Sequence, residues 1–353
     1  MAIEGMSIPP TANASVNVRT SLPAGFLDCP AQKLHTLLPG PTLIHLEGEC
    51  SESLFVSVLL HGNETTGLSA IQKVLKKIED RNTKLTRGLI LFIGNIHAAR
   101  YGARRLSQQP DFNRIWAGGE LDEHRMAQTV LDYVAQSRPV AAIDIHNNTG
   151  RNPLYACINH VDRRFVQFAR RFSETLVFFS EPHQVIANNL ARYCVSVTLE
   201  CGQSGDPEGI ERACNLIEFA LLEEQIYTDG SAFDEVKVFH TVARITVPQE
   251  LNICFGDGKS GNNDTDADLK FAGDFDSLNF RVLSPGFKLG EYQSETARLQ
   301  IHNDAGQELG DNYLAYNNGN IEVKKMFLPS MLTLDLRVIR QDCLGYIMEP
   351  YPL

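Results

Sequence analysis

Four polar residues of this chain have the types and the spacing that a catalytic metal site requires. His61 and Glu64 stand three positions apart directly after the apolar run 54–60, and His146 and Glu200 each end a later apolar run. Two histidines and one carboxylate are a recurrent ligand set for catalytic zinc, which keeps one coordination position for water. A further glutamate is then needed to take the proton of that water and to deliver it to a leaving amine.

Each of these signals is weak when it is taken alone. The stretch 61–64 (HGNE) also suits an ordinary helix start, because Asn63 is a good N-cap and Glu64 is favourable in a first turn. A single histidine at a strand end more often packs or forms hydrogen bonds than binds a metal. The joint interpretation is favoured because ligands of open α/β sheets bind beyond the carboxyl ends of the strands, where the sequence places all these residues.

The elements that would position these residues alternate between strands and helices. Strand-like apolar runs cover 54–60, 88–95, 140–146 and 194–200. Helical periodicity covers 68–78, 122–137, 161–176 and 208–226. Nearly continuous apolar strands separated by helices predict a mainly parallel, doubly wound sheet, and therefore an α/β fold.

Beyond about residue 235 the sequence becomes rich in turn and strand signals. These signals are the run 242–247, the turn-rich stretch 256–268, the dipeptide Asn318-Gly319, and the alternation of Leu332, Leu334, Leu336 and Val338 with mostly polar neighbours. We therefore expect a catalytic α/β domain over 1–232 and a smaller β-rich C-terminal domain over 233–353, with the boundary near 229–234. The acidic run Asp264, Asp266, Asp268 lacks the glycine and the final acidic residue of an EF-hand, which favours a solvated loop.

Composition limits the classes of function. The chain of 353 residues has 43% hydrophobic residues and a formal net charge of −11, so it can bury a core but has no basic stripe for nucleic acid. The start of the sequence lacks the pattern of a secretion signal, and no apolar run reaches the length of a membrane span. The sequence thus predicts a cytoplasmic protein with no nucleic-acid or membrane partner.

Other chemistries lack their motifs in this sequence. It contains no G-x-S-x-G and no Walker A sequence, and its G-x-G-x-x-G match at 256–261 lies in the turn-rich stretch rather than between a strand and a helix. Serine esterase, P-loop and dinucleotide-binding interpretations are therefore disfavoured. Its eight cysteines include no C-x-x-C pair, which is typical of reduced and mostly buried thiols rather than of a zinc ribbon.

Five motifs occur in a fixed order along the chain. They are HGNE (61–64), GN-x-x-A (94–98), DFNR (111–114), DIHN (144–147) and LECG (199–202). As an ordered set they resemble the motifs of the succinylglutamate desuccinylase and aspartoacylase family, whose fold is of the zinc carboxypeptidase-like (M14) type. The resemblance covers about 40–220, and the β-rich segment that follows resembles the second domain of that family.

For the metal site, the resemblance implies that His61, Glu64 and His146 bind one zinc ion per chain. It also implies that Glu200 is the general base and acid. From the strand pattern, Asp144 should lie on the same face as His146, two residues away, and could accept a hydrogen bond near the site. A buried acid bonded to backbone amides is an equal alternative for Asp144.

For the substrate, the resemblance implies that Asn113 and Arg114 hold a carboxylate, a task that suits the planar guanidinium. Arg104 falls where the family has an arginine that polarises the scissile carbonyl. Arg100 and Arg105 lie close by and stay open as alternatives.

The sequence also departs from the family pattern. The usual GNP is Gly94-Asn95-Ile96 here, the stretch before the Asn-Arg pair is about two residues longer than in aspartoacylase, and Arg192 is out of register with the arginine that reads a second substrate carboxylate. A tyrosine of the second domain should face the substrate, with Tyr292, Tyr313 and Tyr316 as candidates. His97 and His160 are expected to have loop or core roles.

We therefore expect a zinc-dependent amidohydrolase, a deacylase that cleaves the linear amide bond of a small N-acyl amino acid. Two alternatives stay open. One is a metallocarboxypeptidase that acts on peptides or cell-wall fragments, and the other is a non-catalytic binder of a small acidic ligand. The acyl group, the amino acid and the oligomeric state are left open, with a homo-oligomer among the options.

Overall fold

Strands and helices alternate along residues 16–228, as the apolar pattern predicts. The structure is a computed structural model that describes residues 16–228, 233, 235–256 and 267–352. Most of the predicted boundary at 229–234, the residues Asp264 and Asp266, and the start of the chain lie outside these described residues.

The strands are Asn17–Arg19 (β1), Thr42–Leu46 (β2), Ser53–Val58 (β3), Gly88–Ile93 (β4), Ala141–His146 (β5), Tyr155–Ile158 (β6), Thr175–Phe178 (β7), Val195–Glu200 (β8), Lys237–Thr246 (β9), Ile253–Phe255 (β10), Leu269–Phe271 (β11), Lys288–Tyr292 (β12), Gln300–His302 (β13), Leu314–Asn317 (β14), Asn320–Val323 (β15), Leu328–Ser330 (β16) and Gly345–Pro350 (β17).

The α-helices are Thr66–Asp80 (α1), Ile96–Ala99 (α2), Asp122–Ser137 (α3), Arg163–Arg170 (α4), Ile186–Leu190 (α5), Pro207–Leu222 (α6), Gly310–Tyr313 (α7) and Leu336–Gln341 (α8). Short 3₁₀ helices occupy Phe26–Asp28, Ala31–Thr36 and Phe275–Leu278. Among the helices that the structure describes, none has the length and apolar character needed to cross a membrane.

A large mixed sheet organises the fold. Its order is β1-β2-β4-β3-β5-β8-β6-β7-β9-β17-β16, with β13 paired to β9. The central pairs β4–β3, β3–β5 and β5–β8 are parallel, and every residue of these four strands is buried. This arrangement confirms the predicted mainly parallel α/β sheet.

Helices cover both faces of this sheet because alternate strand residues point to opposite sides. On one face, Leu54, Val56 and Val58 of β3 belong to a core cluster with residues of α1, α4 and α6. On the other face, Phe55 of β3 and Phe92 of β4 belong to a cluster with residues of α3 and α5. The sheet is therefore doubly covered, as expected.

A second sheet lies in the C-terminal part, with the order β10-β11-β12-β15-β14. The β14–β15 hairpin turns at Asn318 and Gly319, whose φ angles of 49° and 80° suit the predicted two-residue turn. A β-rich region is therefore present. However, β9, β13, β16 and β17 lie beyond residue 233 and pair within the large sheet, so the division into two domains stays a prediction.

Two sequence-based predictions of secondary structure were wrong. The alternation from Leu332 to Val338 does not form a strand, because Asp335 accepts hydrogen bonds from the backbone N–H groups of Arg337 (2.9 Å) and Val338 (3.4 Å) and caps helix α8. The helix predicted at 161–176 is α4 alone, and its last two residues begin strand β7.

Candidate active site

The large sheet brings the predicted residues to one edge. His146 and Glu200 are the last residues of the parallel neighbours β5 and β8, and they are direct partners in the register. His61 follows β3, the strand on the other side of β5. Gly62 is required beside it, because a Cβ there would lie 2.2 Å from the backbone nitrogen of Ala99.

His61, Glu64 and His146 form a compact cluster. Nδ1 of His61 lies 2.8 Å from Oε1 of Glu64, and Nδ1 of His146 lies 2.7 Å from Oε2 of the same carboxylate. The donor atoms of the three buried residues all lie within 4.8 Å of one another. Burial alone would raise the pKa of Glu64, but attraction to the two histidines lowers it well below its ordinary value.

Two further carboxylates orient the imidazole rings. Nε2 of His61 lies 2.9 Å from Oδ1 of Asp111, and Nε2 of His146 lies 2.7 Å from Oδ2 of Asp144. A histidine that binds a metal through one nitrogen typically donates its other N–H to such an acceptor. The convergence of both Nδ1 atoms on one carboxylate therefore fits a zinc ion, which takes histidine and carboxylate ligands.

Two contacts hold the buried carboxylate of Asp144 in place. It accepts a hydrogen bond of 2.6 Å from Oγ of Ser57 on β3, while its other oxygen contacts His146. The predicted placement of Asp144 on the face of His146 is confirmed.

Glu200 lies beside this cluster and is 6% exposed. Its Oε2 accepts a hydrogen bond of 2.6 Å from Nδ2 of Asn148. Burial raises the pKa of the Glu200 carboxyl to about 7, with Glu64 and Asp144 acting in the same direction and His146 opposing them. A carboxyl group with a pKa near neutrality is well suited to exchange protons during catalysis.

Arg104 borders the same site. Its Nη2 lies 3.0 Å from Oδ2 of Asp111, and its Nη1 lies 3.4 Å from Oε1 of Glu64. Arg105 instead donates to the backbone oxygen of Gln109 at 2.7 Å, and the guanidinium of Arg100 lies 5.4 Å from the centre of the Tyr101 ring. The geometry thus favours Arg104 among the three candidates.

Asn113 and Arg114 also face the cluster. Nδ2 of Asn113 lies 3.3 Å from Nε2 of His146, and its Oδ1 accepts a hydrogen bond of 3.0 Å from the backbone of Ile186. Arg114 donates from Nη1 to the backbone oxygen of Asn113 at 2.9 Å. Both side chains line one cavity together with the histidines and Glu200.

This cavity has a volume of about 160 Å³. The C-terminal part of the chain forms one of its walls through Ser330, Met331, Val338, Asp342, Cys343 and Tyr346. The site is therefore covered by residues that lie far from the five motifs in the sequence.

The tyrosine expected from the second domain is not one of the three candidates. Tyr292, Tyr313 and Tyr316 belong to the region of the second sheet, whereas Tyr155 and Tyr346 line the cavity. Tyr346 reaches the site because β17 joins the large sheet beside β9. No local pattern in the sequence predicts this long-range pairing.

Several other sequence candidates lie outside the cavity lining. His97 is near Gly40, with Nε2 3.4 Å from the position of a Cβ at that glycine, and the ring of His160 lies 5.0 Å from that of Phe165. Arg192 lies beside Tyr193. His160 is exposed and lies outside the helices and strands, as expected for a loop residue, whereas His97 is a half-buried residue of helix α2.

Sequence reasoning missed Asp111 and Asn148. Asp111 is part of the DFNR motif, so the motif was a signal, but its contacts with His61 and Arg104 depend on how the loop folds over the sheet. Asn148 follows the DIHN motif directly, and no spacing rule indicates that it contacts Glu200.

The sheet, the site and the structural neighbours together define a fold of the zinc carboxypeptidase-like class. Residues 51–215 match the family model described as Succinylglutamate desuccinylase/Aspartoacylase catalytic domain. This part of the chain is therefore similar to the catalytic domain of that family.

Individual relatives agree with this family. A succinylglutamate desuccinylase from Yersinia enterocolitica is 30% identical over 87 residues, which are 25% of this chain and 26% of the relative. The aligned region thus spans about a quarter of that curated relative.

Solved structures show the likeness of the fold. The succinylglutamate desuccinylase of Chromobacterium violaceum has 17% identity and a TM-score of 0.54, with 86% of each chain covered. The enzyme of the same name from Vibrio parahaemolyticus has 13% identity and a TM-score of 0.57, with 88% of this chain and 86% of that chain covered. Murine aminoacylase 3 has 11% identity and a TM-score of 0.52, with 86% of this chain and 96% of that chain covered.

Proposed function

We propose that this protein is a zinc-dependent amidohydrolase that removes the acyl group from a small N-acyl amino acid. The observation that carries the proposal is the convergence of the buried cluster His61, Glu64 and His146 with the buried Glu200 in one cavity. The family of the segment 51–215 supports deacylation as the type of reaction. The names of the relatives, succinylglutamate desuccinylase and aminoacylase, point to the same type.

His61, Glu64 and His146 would hold the zinc ion, with Asp111 and Asp144 keeping the imidazole rings oriented. Zinc bound there would polarise the scissile carbonyl and lower the pKa of the attacking water. Glu200 would accept the proton of that water and pass it to the departing nitrogen.

Two arginines would stabilise negative charges of the substrate. Arg104 would stabilise the negative charge that develops on the carbonyl oxygen. Arg114, with Asn113 beside it, would bind the carboxylate of the amino acid, because the planar guanidinium matches a carboxylate.

The rival carboxypeptidase would use the same residues on longer substrates. The C-terminal wall around Met331, Val338 and Tyr346 narrows the cavity and favours a small substrate. Turnover of N-acyl amino acids should therefore exceed turnover of peptides of four or more residues, and the reverse order would favour the carboxypeptidase.

Metal analysis combined with hydrolysis tests the proposal. The purified protein should contain zinc in about one equivalent, and a panel of N-acetyl, N-succinyl and N-formyl amino acids should include at least one that it hydrolyses. Chelation should abolish the activity and added zinc should restore it. Protein that neither binds a divalent metal nor gains activity with zinc would instead support the non-catalytic binder.

A matched pair of histidine variants controls this experiment. His146→Ala removes a proposed ligand and should lose most of the zinc. His160→Ala changes an exposed histidine whose ring lies edge-to-face against Phe165 outside the cavity lining, so it should keep zinc and activity. Equal zinc content in the two variants would contradict the assigned ligand set.

A further inference from the structure

The face of the large sheet changes from polar to apolar next to Glu200. Strand β6 pairs antiparallel with β8, so that Tyr155 is opposite Glu200 and Cys157 is opposite Thr198. Strand β7 continues the sheet on the other side of β6, with Val177 opposite Cys157. Since directly paired residues point to the same face of a sheet, a continuous surface runs from Glu200 to Val177.

Phe179 is the next side chain on this surface beyond Val177. It lies two positions after Val177, and its backbone N–H donates to the oxygen of Ile158 at 3.1 Å. Cys157 and Val177 belong to one apolar cluster, against which Phe179 and Met331 pack. All four residues also line the cavity. We call Cys157, Val177, Phe179 and Met331 the apolar wall.

The charges in the cavity are unevenly distributed. Among the described residues that line it, the arginines are Arg104 and Arg114, and Arg104 is already paired with Asp111 and Glu64. One guanidinium therefore stays available for a substrate carboxylate. The acidic lining residues Glu181 and Asp342 offer a second carboxylate no hydrogen-bond donor.

A basic group of the substrate is not favoured either. Glu181 already lies 2.5 Å from Nε2 of His183, and Asp342 lies 3.9 Å from Nη1 of Arg244. Burying an unpaired charge against the apolar wall is costly, whereas an apolar group gains free energy there.

We infer that the substrate carries one carboxylate, which binds Arg114, and one large apolar group, which binds the apolar wall formed by Cys157, Val177, Phe179 and Met331. This inference rests on the proposed function and specifies its substrate class. N-acyl amino acids with a second carboxylate, on either the acyl or the amino-acid part, are poor substrates because the described residues that line the cavity offer that carboxylate no further unpaired guanidinium.

Substrate selectivity tests the inference directly. The values of kcat/KM for N-acetyl-L-phenylalanine and N-benzoylglycine should be compared with those for N-acetyl-L-aspartate, N-succinyl-L-glutamate and N-acetyl-L-lysine. The kcat/KM of at least one of the two aromatic compounds should exceed that of the aspartate, glutamate and lysine derivatives by about tenfold or more, the scale of a well-filled apolar pocket. The better of the two shows whether the apolar group belongs to the amino acid or to the acyl part. If the aspartate, glutamate or lysine derivative has the highest kcat/KM, the inference is overturned.

Neighbouring phenylalanines provide a matched pair of variants. Phe179→Ala shortens the apolar wall and should lower kcat/KM for the better aromatic substrate about tenfold or more, with a much smaller loss for N-acetyl-L-alanine. Phe178→Ala changes a residue that is equally half-buried but points to the opposite face and contacts Tyr351. It should leave the ratio of the two substrates unchanged. Equal ratios for both variants overturn the role of Phe179.

Binding separates this inference from the proposed function. If the protein hydrolyses none of these amides, the proposed function fails, and calorimetric titration of Glu200→Gln with N-acetyl-L-phenylalanine, N-benzoylglycine and N-acetyl-L-aspartate still decides the class of ligand. Tighter binding of an aromatic compound supports the apolar wall. Equal or tighter binding of N-acetyl-L-aspartate, or no binding of either aromatic compound, overturns it.

Discussion

Asn148 holds Glu200 through a single hydrogen bond, with Nδ2 of Asn148 2.6 Å from Oε2 of Glu200. The bond stabilises the charged carboxylate, while burial acts against it and raises the pKa of Glu200 to about 7. Asn148 therefore limits how far burial can shift this group.

The first prediction concerns the pH profile of Asn148→Ala. Without the hydrogen bond the charged form of Glu200 is less stable, so its pKa should rise further, by about one unit. The proposed base must be deprotonated to act, and the acidic limb of kcat/KM should move to higher pH by the same amount. Asn152→Ala is the control, because Nδ2 of Asn152 donates to the oxygen of Gly150 and not to Glu200. A limb that shifts equally in both variants would contradict the role of Asn148.

The second prediction concerns turnover of Glu200→Gln. Glutamine keeps the shape and can still accept from Asn148, but it cannot take up a proton. Turnover should fall by about 10² to 10⁴, the usual contribution of a general base, while the zinc content stays the same. Steady-state kinetics and metal analysis of the same preparation check this. An unchanged rate would remove Glu200 from the mechanism.

The same variant leads to a third prediction about stability in metal-free protein. Because burial raises the pKa of Glu200 in the folded state, the folded chain keeps this proton up to about pH 7, whereas the unfolded chain releases it near the ordinary glutamate pKa of 4.5. Glu200 therefore destabilises the fold increasingly as the pH rises from 4.5 through 7.

Glu200→Gln should remove this penalty. In chelated protein at pH 8 its free energy of unfolding should exceed that of the parent by on the order of 1 to 3 kcal/mol, and the difference should shrink towards pH 5. Thermal denaturation at both pH values measures it. A gain that is the same at pH 5 and at pH 8 would show that the carboxylate charge is not its cause.

The fourth prediction concerns Asp111, which contacts both His61 and Arg104. Asp111→Ala should release the ring of His61 and the guanidinium of Arg104 at once, so zinc affinity should fall about 10- to 100-fold and kcat should fall as well. Competition with a chelator of known affinity measures the first effect. Asp122→Ala, which removes an exposed partner of Arg125, serves as the control. Unchanged zinc affinity in Asp111→Ala would mean that His61 needs no such acceptor.

The sequence by itself determined the central strands and the long helices. Strands β3, β4, β5 and β8 are nearly continuous apolar runs, and helix α3 was predicted at its observed bounds, since local periodicity reports the side from which each element is buried. The placement of His61, Glu64, His146 and Glu200 follows from the same elements. They stand at or just after the strand ends, and parallel strands share one edge.

Only the tertiary structure decided how the cavity is completed. It placed Arg104, rather than Arg100 or Arg105, in the cavity lining and brought Asp111 next to His61. It also placed Tyr155 and Tyr346 there instead of the three expected tyrosines. Strand β6 lies between β8, to which it is antiparallel, and β7, to which it is parallel. Strand β17 pairs with β9 although about a hundred residues separate the two strands in the sequence. These contacts depend on long-range packing and on loop closure, whose free energy is not encoded in any short window of the sequence. For that reason the sequence predicts the metal site, whereas the surface that would select the substrate becomes visible only in the folded chain.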